Sequence, residues 1–158
     1  MKKIYFANPK ENYLKSKKLI DIEINKCLNS NTYILGNNVK KFEKTFANYI
    51  KTNYCISVKN GTDAITMALQ SLSLKKNSKI IVPSMTATAT AMAVMNADLK
   101  PVFCDVNDQF YTSDLEDIKS KFNKDIRGVI VVHLHGQSVE IDKIQKFCNE
   151  KKIFLIED

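Results

Sequence analysis

From residue 54 onward the chain alternates short apolar runs with stretches of helical periodicity, and this pattern restricts the fold more than any other feature. The apolar runs predict strands at 54–58, 79–82, 101–105, 126–133 and 153–157. The stretches between them predict helices at 62–73, 86–97, 114–121 and 139–151, the third opened by a capping box of Ser113 and Glu116. Strands that alternate with helices predict an α/β domain with a mainly parallel sheet and flanking helices.

The first third of the chain has a different pattern. Residues 11–30 place leucines and isoleucines among lysines with an imperfect amphipathic period, which predicts a helix. Val39, Phe42, Phe46 and Ile50 recur at helical spacing and predict a second helix that ends near residues 51–53. We therefore expect a helical segment at 1–53 and a partial α/β domain at 54–158.

Composition excludes several classes of protein. With 158 residues, 44% apolar and 26% charged, the chain has one domain's length and enough apolar side chains for a core. The net charge of +7 comes almost entirely from lysine, with Arg127 the single arginine, so a nucleic-acid partner is not expected. The four widely spaced cysteines predict reduced thiols and a cytoplasmic location, and no run is apolar enough for a signal peptide or a membrane span.

In an open α/β sheet, ligands bind beyond the carboxyl ends of the strands. The run Asn60-Gly61-Thr62-Asp63 stands there at a predicted helix start, where backbone amides and a hydroxyl can hold a phosphate. Taken alone, the same run is also typical of a plain capped helix. It lacks the glycines of a dinucleotide fingerprint and the Gly-Lys-Ser/Thr of a P-loop.

Three other strand ends carry candidate residues. The run 83–90 is small and hydroxyl-rich, which suits a flat ligand or simply a tightly packed helix start. After the strand at 126–133, His133 and Gln137 are candidates for orienting a substrate or cofactor; His133 and His135 without a third ligand predict no metal site. The last strand ends in Glu157 and Asp158, which are either a carboxylate facing the same crevice or a polar strand end.

Taken together, these runs resemble the DegT/StrS-type pyridoxal-phosphate-dependent aminotransferases that act on nucleotide-linked keto sugars. The resemblance extends from about Asn31 to the last residue, and six motifs in the same order are more specific than any one of them. The matching stretches are Tyr33-Ile34-Leu35-Gly36 with Phe42-Glu43, Asn60-Gly61-Thr62-Asp63-Ala64, Val82-Pro83-Ser84 with Thr86 and Ala89-Thr90, Lys100-Pro101-Val102-Phe103 with Asp105-Val106, Val132-His133-Leu134 with Gly136-Gln137, and Ile156-Glu157-Asp158.

The resemblance implies part of a fold-type I pyridoxal-phosphate-dependent transferase large domain, with pyridoxal 5'-phosphate as cofactor. Carried over residue by residue, Gly61, Thr62 and Asp63 hold the cofactor phosphate through backbone amides and the Thr62 hydroxyl. The resemblance likewise implies that Asp158 accepts a hydrogen bond from the protonated pyridine nitrogen, which keeps the ring an electron sink.

The run from Thr86 to Thr90 is expected along one face of the cofactor ring. Ala87 stands where many family members carry a stacking aromatic residue. The resemblance also places the Schiff-base lysine downstream of Asp158, so we expect it to be absent from this chain, an N-terminal fragment. Lys59 lies beside the phosphate loop, at a position that the family does not use.

The activity implied is ping-pong transamination of a nucleotide-diphospho keto sugar, with glutamate as amino donor, for amino-sugar and surface polysaccharide biosynthesis. Complete members of the family are homodimers. Three alternatives stay open: a catalytically inactive fragment, a module that binds a phosphorylated ligand without turnover, and a sugar dehydratase of the same fold that uses the cofactor without a Schiff-base lysine.

Overall fold

The computed structural model describes residues 4–158. The chain divides into two compact units, Met1–Ser57 and Val58–Asp158. Within the part of the chain that the structure describes, every helix is too short or too polar to cross a membrane.

The first unit contains two helices, α1 at Pro9–Asn29 and α2 at Asn37–Ile50, which confirms both helices predicted for this segment. Helix α1 starts where Asn8 accepts a hydrogen bond from the Glu11 amide and Pro9 occupies the first helical position. Lys51, the C-cap that follows α2, adopts a left-handed conformation and lets the Thr52 amide donate to the Ala47 carbonyl.

The second unit is a parallel sheet with helices between its strands. Its elements are α3 at Gly61–Ser71, β1 at Lys79–Pro83, α4 at Thr88–Asn96, β2 at Lys100–Cys104, α5 at Leu115–Lys121, β3 at Ile126–Val131, α6 at Ile141–Lys151 and β4 at Phe154–Glu157, with a short 3-10 turn at Leu134–Gly136. The strand order is β2-β1-β3-β4 and every pairing is parallel. The α/β class predicted from the alternating pattern is confirmed.

The sheet is buried on both faces because its central strands carry buried apolar runs, at residues 80–83 of β1 and 128–131 of β3. Ile81 of β1 points to one face, while its neighbours Ile80 and Val82 point to the other. One face packs against α5 and α6, and its buried core includes Ile81, Val129, Val131, Ile118, Ile144 and Phe147. The other face packs against α3 and α4, and its core includes Ile80, Val82, Ile130, Ile65, Leu69 and Val94.

Two local predictions are wrong. Residues 54–58 form no strand, because no described segment pairs with them; the Ser57 amide instead donates to the Glu43 carboxylate at 2.7 Å. The cap of α5 is Asp114 rather than Ser113: the Asp114 carboxylate accepts from the amides of Glu116 at 2.7 Å and Asp117 at 3.0 Å. The helix therefore starts one residue later than the capping box predicts.

Candidate functional site

Asp158 directly follows β4, at the carboxyl edge of the sheet. Its backbone extends the strand ladder, since its amide donates to the Val131 carbonyl at 2.9 Å and its carbonyl accepts from the His133 amide at 3.0 Å. These two bonds hold the Asp158 backbone against the end of β3. The structure thus places this predicted residue at the edge where parallel sheets bind ligands.

The Asp158 side chain is connected to two threonines, one in the loop before α4 and one in the first turn of that helix. Thr90 Oγ1 lies 3.0 Å from Oδ2 of Asp158, and Thr86 Oγ1 lies 3.1 Å from Thr90 Oγ1. Thr90 is only 1% exposed, whereas Thr86 is half-buried. The three side chains form a hydrogen-bonded row that runs from the loop after β1 to the end of β4.

The amino terminus of α3 is the second part of the site. The Asn60 side chain caps this helix by accepting from the Asp63 amide at 2.8 Å. The amides of Gly61 and Thr62 have no hydrogen-bond partner among the residues described. A Cβ placed on Gly61 would meet no atom within 4 Å, so a ligand can approach this stretch of backbone closely. Free amides at a helix start favour an anion.

The sequence predicts that three successive amides, those of Gly61, Thr62 and Asp63, bind a phosphate. The Asp63 amide is not available for this. It is already engaged by Asn60, and the Asp63 carboxylate lies 3.3 Å from the Lys59 ammonium in an exposed ion pair. The geometry therefore leaves the backbone amides of Gly61 and Thr62 for an anion. Lys59, considered above as a lysine close to the phosphate loop, is exposed to solvent and paired with Asp63.

Helices α3 and α4 pack on the same face of the sheet, and a hydrogen bond connects them. Thr66 Oγ1 lies 2.8 Å from the Thr62 carbonyl, its own preceding turn, and 3.3 Å from the Ala93 carbonyl of α4. Ala93 follows Thr90 by about one helical turn. Sequence reasoning missed Thr66, because a threonine inside a helix is commonly satisfied by its own helix and carries no sign of a contact with another.

His133 stands at the end of β3 with both ring nitrogens engaged. Its Nδ1 accepts from the Val139 amide at 3.3 Å, which leaves the proton on Nε2, and Nε2 lies 3.1 Å from the Glu157 carboxylate. The ring therefore joins the 133–139 loop to the end of β4. Sequence reasoning missed the role of Glu157 as its partner.

The two remaining predicted site residues, Ala87 and Gln137, are both exposed to solvent. Ala87 is the N-cap of α4 and has no side-chain atom that could cap it. Gln137 is exposed and donates to the Ser138 carbonyl at 3.3 Å. It follows two residues in the left-handed region, His135 at φ 55° and Gly136 at φ 82°. The glycine suits that conformation, so the loop turns sharply between β3 and α6.

The donors and acceptors of this unit fit the two ends of pyridoxal 5'-phosphate. The open backbone at Gly61 and the free Thr62 amide suit its phosphate. The Asp158 carboxylate, oriented through Oδ2, suits a cationic ring N–H. The chemistry of the donor set is therefore consistent with the cofactor that the sequence resemblance implies.

Comparison with known proteins agrees with this chemistry. The sequence profile of the DegT/DnrJ/EryC1/StrS aminotransferase family matches residues 15–158. A dTDP-3-amino-3,6-dideoxy-alpha-D-galactopyranose transaminase from Aneurinibacillus thermoaerophilus is 32% identical over 155 residues, which cover 98% of this chain and 43% of that protein.

Solved structures give the same result for the fold. DesV from S. venezuelae matches with a TM-score of 0.95 and 27% identity, over 99% of this chain and 42% of its own. E. coli GDP-4-keto-6-deoxy-D-mannose-3-dehydratase with bound hydrated PLP matches with a TM-score of 0.80 and 27% identity, over 85% of this chain and 36% of its own. The predicted fold-type I large domain is confirmed, and the chain spans less than half the length of these relatives.

Proposed function

The chain belongs to the DegT/DnrJ/EryC1/StrS aminotransferase family, and we propose that the natural protein containing it aminates a nucleotide-diphospho keto sugar with pyridoxal 5'-phosphate. The amino donor is glutamate, which leaves as 2-oxoglutarate. The sugar ketone gains the amino group in return, so the nitrogen is conserved over the two half-reactions. The reaction takes place in the cytoplasm. Its amino-sugar product is used in the biosynthesis of surface polysaccharide.

The observation that supports this proposal most is the Asp158 carboxylate held at the sheet edge by Thr90. Bound pyridoxal 5'-phosphate supplies an electron sink whose capacity depends on a protonated ring nitrogen. Asp158 accepts the hydrogen bond from that N–H through its second oxygen, Oδ1, which has no partner among the described side chains. An ionised carboxylate at this position holds the proton on the nitrogen.

The start of α3 holds the phosphate in this proposal. The amides of Gly61 and Thr62 donate to its oxygens, and the Thr62 hydroxyl adds a third donor. Asp63 contributes by ordering the turn, since its amide is fixed by the Asn60 cap. The partial positive charge at a helix start adds to the attraction for the dianion.

Residues beside these two ends complete the proposed site. Thr86 and Ala87, in the loop before α4 and at its N-cap, would lie beside the cofactor ring. Gln137, exposed in the loop after β3, contacts the sugar substrate, while His133 orders that loop through Val139. We expect the natural protein to act as a homodimer, with the Schiff-base lysine contributed from beyond residue 158.

The test is a product assay on the natural protein that contains this chain. The purified protein is incubated with pyridoxal 5'-phosphate, 15N-glutamate and 3-keto or 4-keto nucleotide-diphospho sugars, and products are identified by mass spectrometry. We expect a sugar carrying 15N and an equal amount of 2-oxoglutarate. Loss of a sugar hydroxyl without gain of nitrogen would instead support the dehydratase, a candidate favoured by the similarity to the E. coli dehydratase.

Asp158→Asn tests the assigned role of this residue. Because the amide cannot hold a proton on the ring nitrogen electrostatically, we expect kcat to fall by about 100-fold or more. The matched control is Asp98→Asn, which removes an exposed carboxylate paired with Lys76 at 3.4 Å and is expected to leave kcat unchanged. Equal rates for the two variants would overturn the assignment. Tight phosphate binding with no turnover of any keto sugar would favour a binding module.

A further inference from the structure

Thr90 carries a buried hydroxyl group whose hydrogen-bond partners are both side chains. The residue is 1% exposed, lies in the first turn of α4, and has its hydroxyl 3.0 Å from Asp158 and 3.1 Å from Thr86. A buried hydroxyl without a partner costs about 1–3 kcal/mol, so its partners are decisive. Both of its partners are side chains at the carboxyl edge of the sheet.

The direction of these hydrogen bonds follows from chemistry. An ionised carboxylate only accepts, so the Thr90 hydroxyl donates to Asp158 Oδ2. Because the hydroxyl proton of Thr90 is engaged by Asp158, the Thr90 oxygen can only accept from Thr86, so the Thr86 hydroxyl is the donor of the second hydrogen bond. The row therefore has one polarity, from Thr86 through Thr90 to the carboxylate.

Thr90 lies in the first turn of α4, so its hydroxyl has no preceding turn of its own helix to donate to. Farther along a helix, a threonine hydroxyl has the alternative of donating to the backbone carbonyl one turn earlier, which satisfies it without any other element. Thr66 in α3 shows that alternative, at 2.8 Å from the Thr62 carbonyl. Thr90 instead donates to Asp158, which lies 68 positions later in the sequence. This hydrogen bond connects the Asp158 side chain to α4.

We propose that Thr90 is a positioning residue for Asp158. Its hydroxyl engages Oδ2 and fixes the rotation of the carboxylate, which leaves Oδ1 for the ligand, and Thr86 orients the Thr90 hydroxyl in turn. This inference deepens the proposed function and rests on it, since it concerns the carboxylate assigned to the cofactor nitrogen.

Thr90→Val removes the hydroxyl and keeps the shape of the side chain. In the natural protein we expect the Kd for added pyridoxal 5'-phosphate, followed by absorption titration, to rise by about 10-fold, the loss of one hydrogen bond to a charged group. Thr90→Ser restores the donor and is expected to return the Kd to within about 3-fold of the wild type. Thr45→Val is the matched control, an exposed threonine of α2 outside the proposed site, and is expected to leave the Kd unchanged.

A double-mutant cycle separates positioning from packing. In an Asp158→Asn background, Thr90→Val is expected to change the Kd by less than about 2-fold, because the group that it positions has lost its charge. Equal effects in both backgrounds, or no effect of Thr90→Val in the wild type, would overturn the inference. Circular dichroism checks that each variant folds; if Thr90→Val does not, Thr90→Cys replaces it with a group of similar size and weak donor strength.

The two proposals fail in different ways. If the wild-type protein does not bind pyridoxal 5'-phosphate, the proposed function is wrong and the inference is wrong with it. If the wild type binds the cofactor and Thr90→Val binds it equally well, the inference alone is wrong. Binding weakened only where Asp158 is intact supports both.

Discussion

The two units of this chain stabilise their helices by different means. In the first unit α1 has no buried residue and α2 buries only Ala47. In the second unit every helix buries at least one side chain against the sheet. Apolar side chains are nevertheless abundant in the first unit, where the exposed ones include Leu14, Leu19, Ile24, Leu28, Phe42, Phe46 and Ile50.

Local interactions remain for the helices of the first unit. Asn8 caps α1, Lys26 pairs with Glu23 at 2.7 Å, and the Phe42 and Phe46 rings stack at 5.5 Å. Each such interaction contributes about 0.3–1 kcal/mol, and helices supported only in this way are marginal in water. The comparison teaches that an amphipathic sequence pattern defines a helix in both units, but only the second unit supplies the surface that buries its apolar side.

Truncation of a core side chain should separate the units most strongly. Ile130 is fully buried at the centre of the sheet, so Ile130→Ala should lower the free energy of unfolding by about 2–5 kcal/mol through lost burial and a cavity. Leu19→Ala is the matched change in α1, where the side chain is 71% exposed, and should cost less than about 0.5 kcal/mol. Urea denaturation followed by circular dichroism measures both.

The contrast between the two units is wrong if Leu19→Ala lowers the free energy of unfolding as much as Ile130→Ala does. Such a result would mean that the apolar side of α1 is covered in the natural protein, by a second copy or by another part of the polypeptide. A small effect at both positions would contradict the assignment of Ile130 to the core.

Thiol reactivity gives a second, somewhat smaller contrast. Burial raises the pKa of the Cys104 thiol to about 12 and that of Cys148 to about 11, so both stay protonated and shielded at pH 8. Cys27 of α1 is partly exposed. We expect iodoacetamide at pH 8 to modify Cys27 about 100-fold faster than Cys104 or Cys148, because the buried thiols react only after local opening.

Mass spectrometry of timed digests reports each cysteine separately. The rates for Cys104 and Cys148 should approach that for Cys27 in urea above the unfolding midpoint, which serves as the control for intrinsic reactivity. Fast modification of Cys104 in the native protein would show that the sheet unit opens far more easily than its packing implies. Slow modification of Cys27 would again indicate a covered α1.

Local sequence pattern was sufficient for most of the fold. The predicted strand at 126–133 is observed as β3, Ile126–Val131, because an unbroken apolar run suits a strand buried on both faces. The prediction at 54–58 failed for the opposite reason: a strand needs a partner, and alternation of side chains within one segment does not say whether a partner exists. The N-cap of α5 is Asp114 and not Ser113. Serine and aspartate are both favourable N-caps, so the sequence does not show which of these two adjacent residues caps the helix.

The site was predictable only as a set of positions. Strand ends carry ligand sites in parallel sheets, so Asp158 and the start of α3 could be found without a structure. The contact between Thr90 and Asp158 could not be, because it depends on the strand order and on the rotation of α4. The same holds for His133, whose ring is satisfied by Val139 and Glu157.

Helix caps provide the smallest and most local contrast. Asp114 accepts from two amides at the start of α5, so Asp114→Ala should lower the unfolding free energy of the sheet unit by about 1 kcal/mol. Asn8 accepts from one amide, at 3.3 Å, and Asn8→Ala should reduce the helicity of α1 with no shift of the sheet transition. Hydrogen exchange with residue resolution distinguishes the two effects. If Asn8→Ala lowered protection in β1 or β3, the two units would unfold as one, and the separate treatment of their stabilities would be wrong.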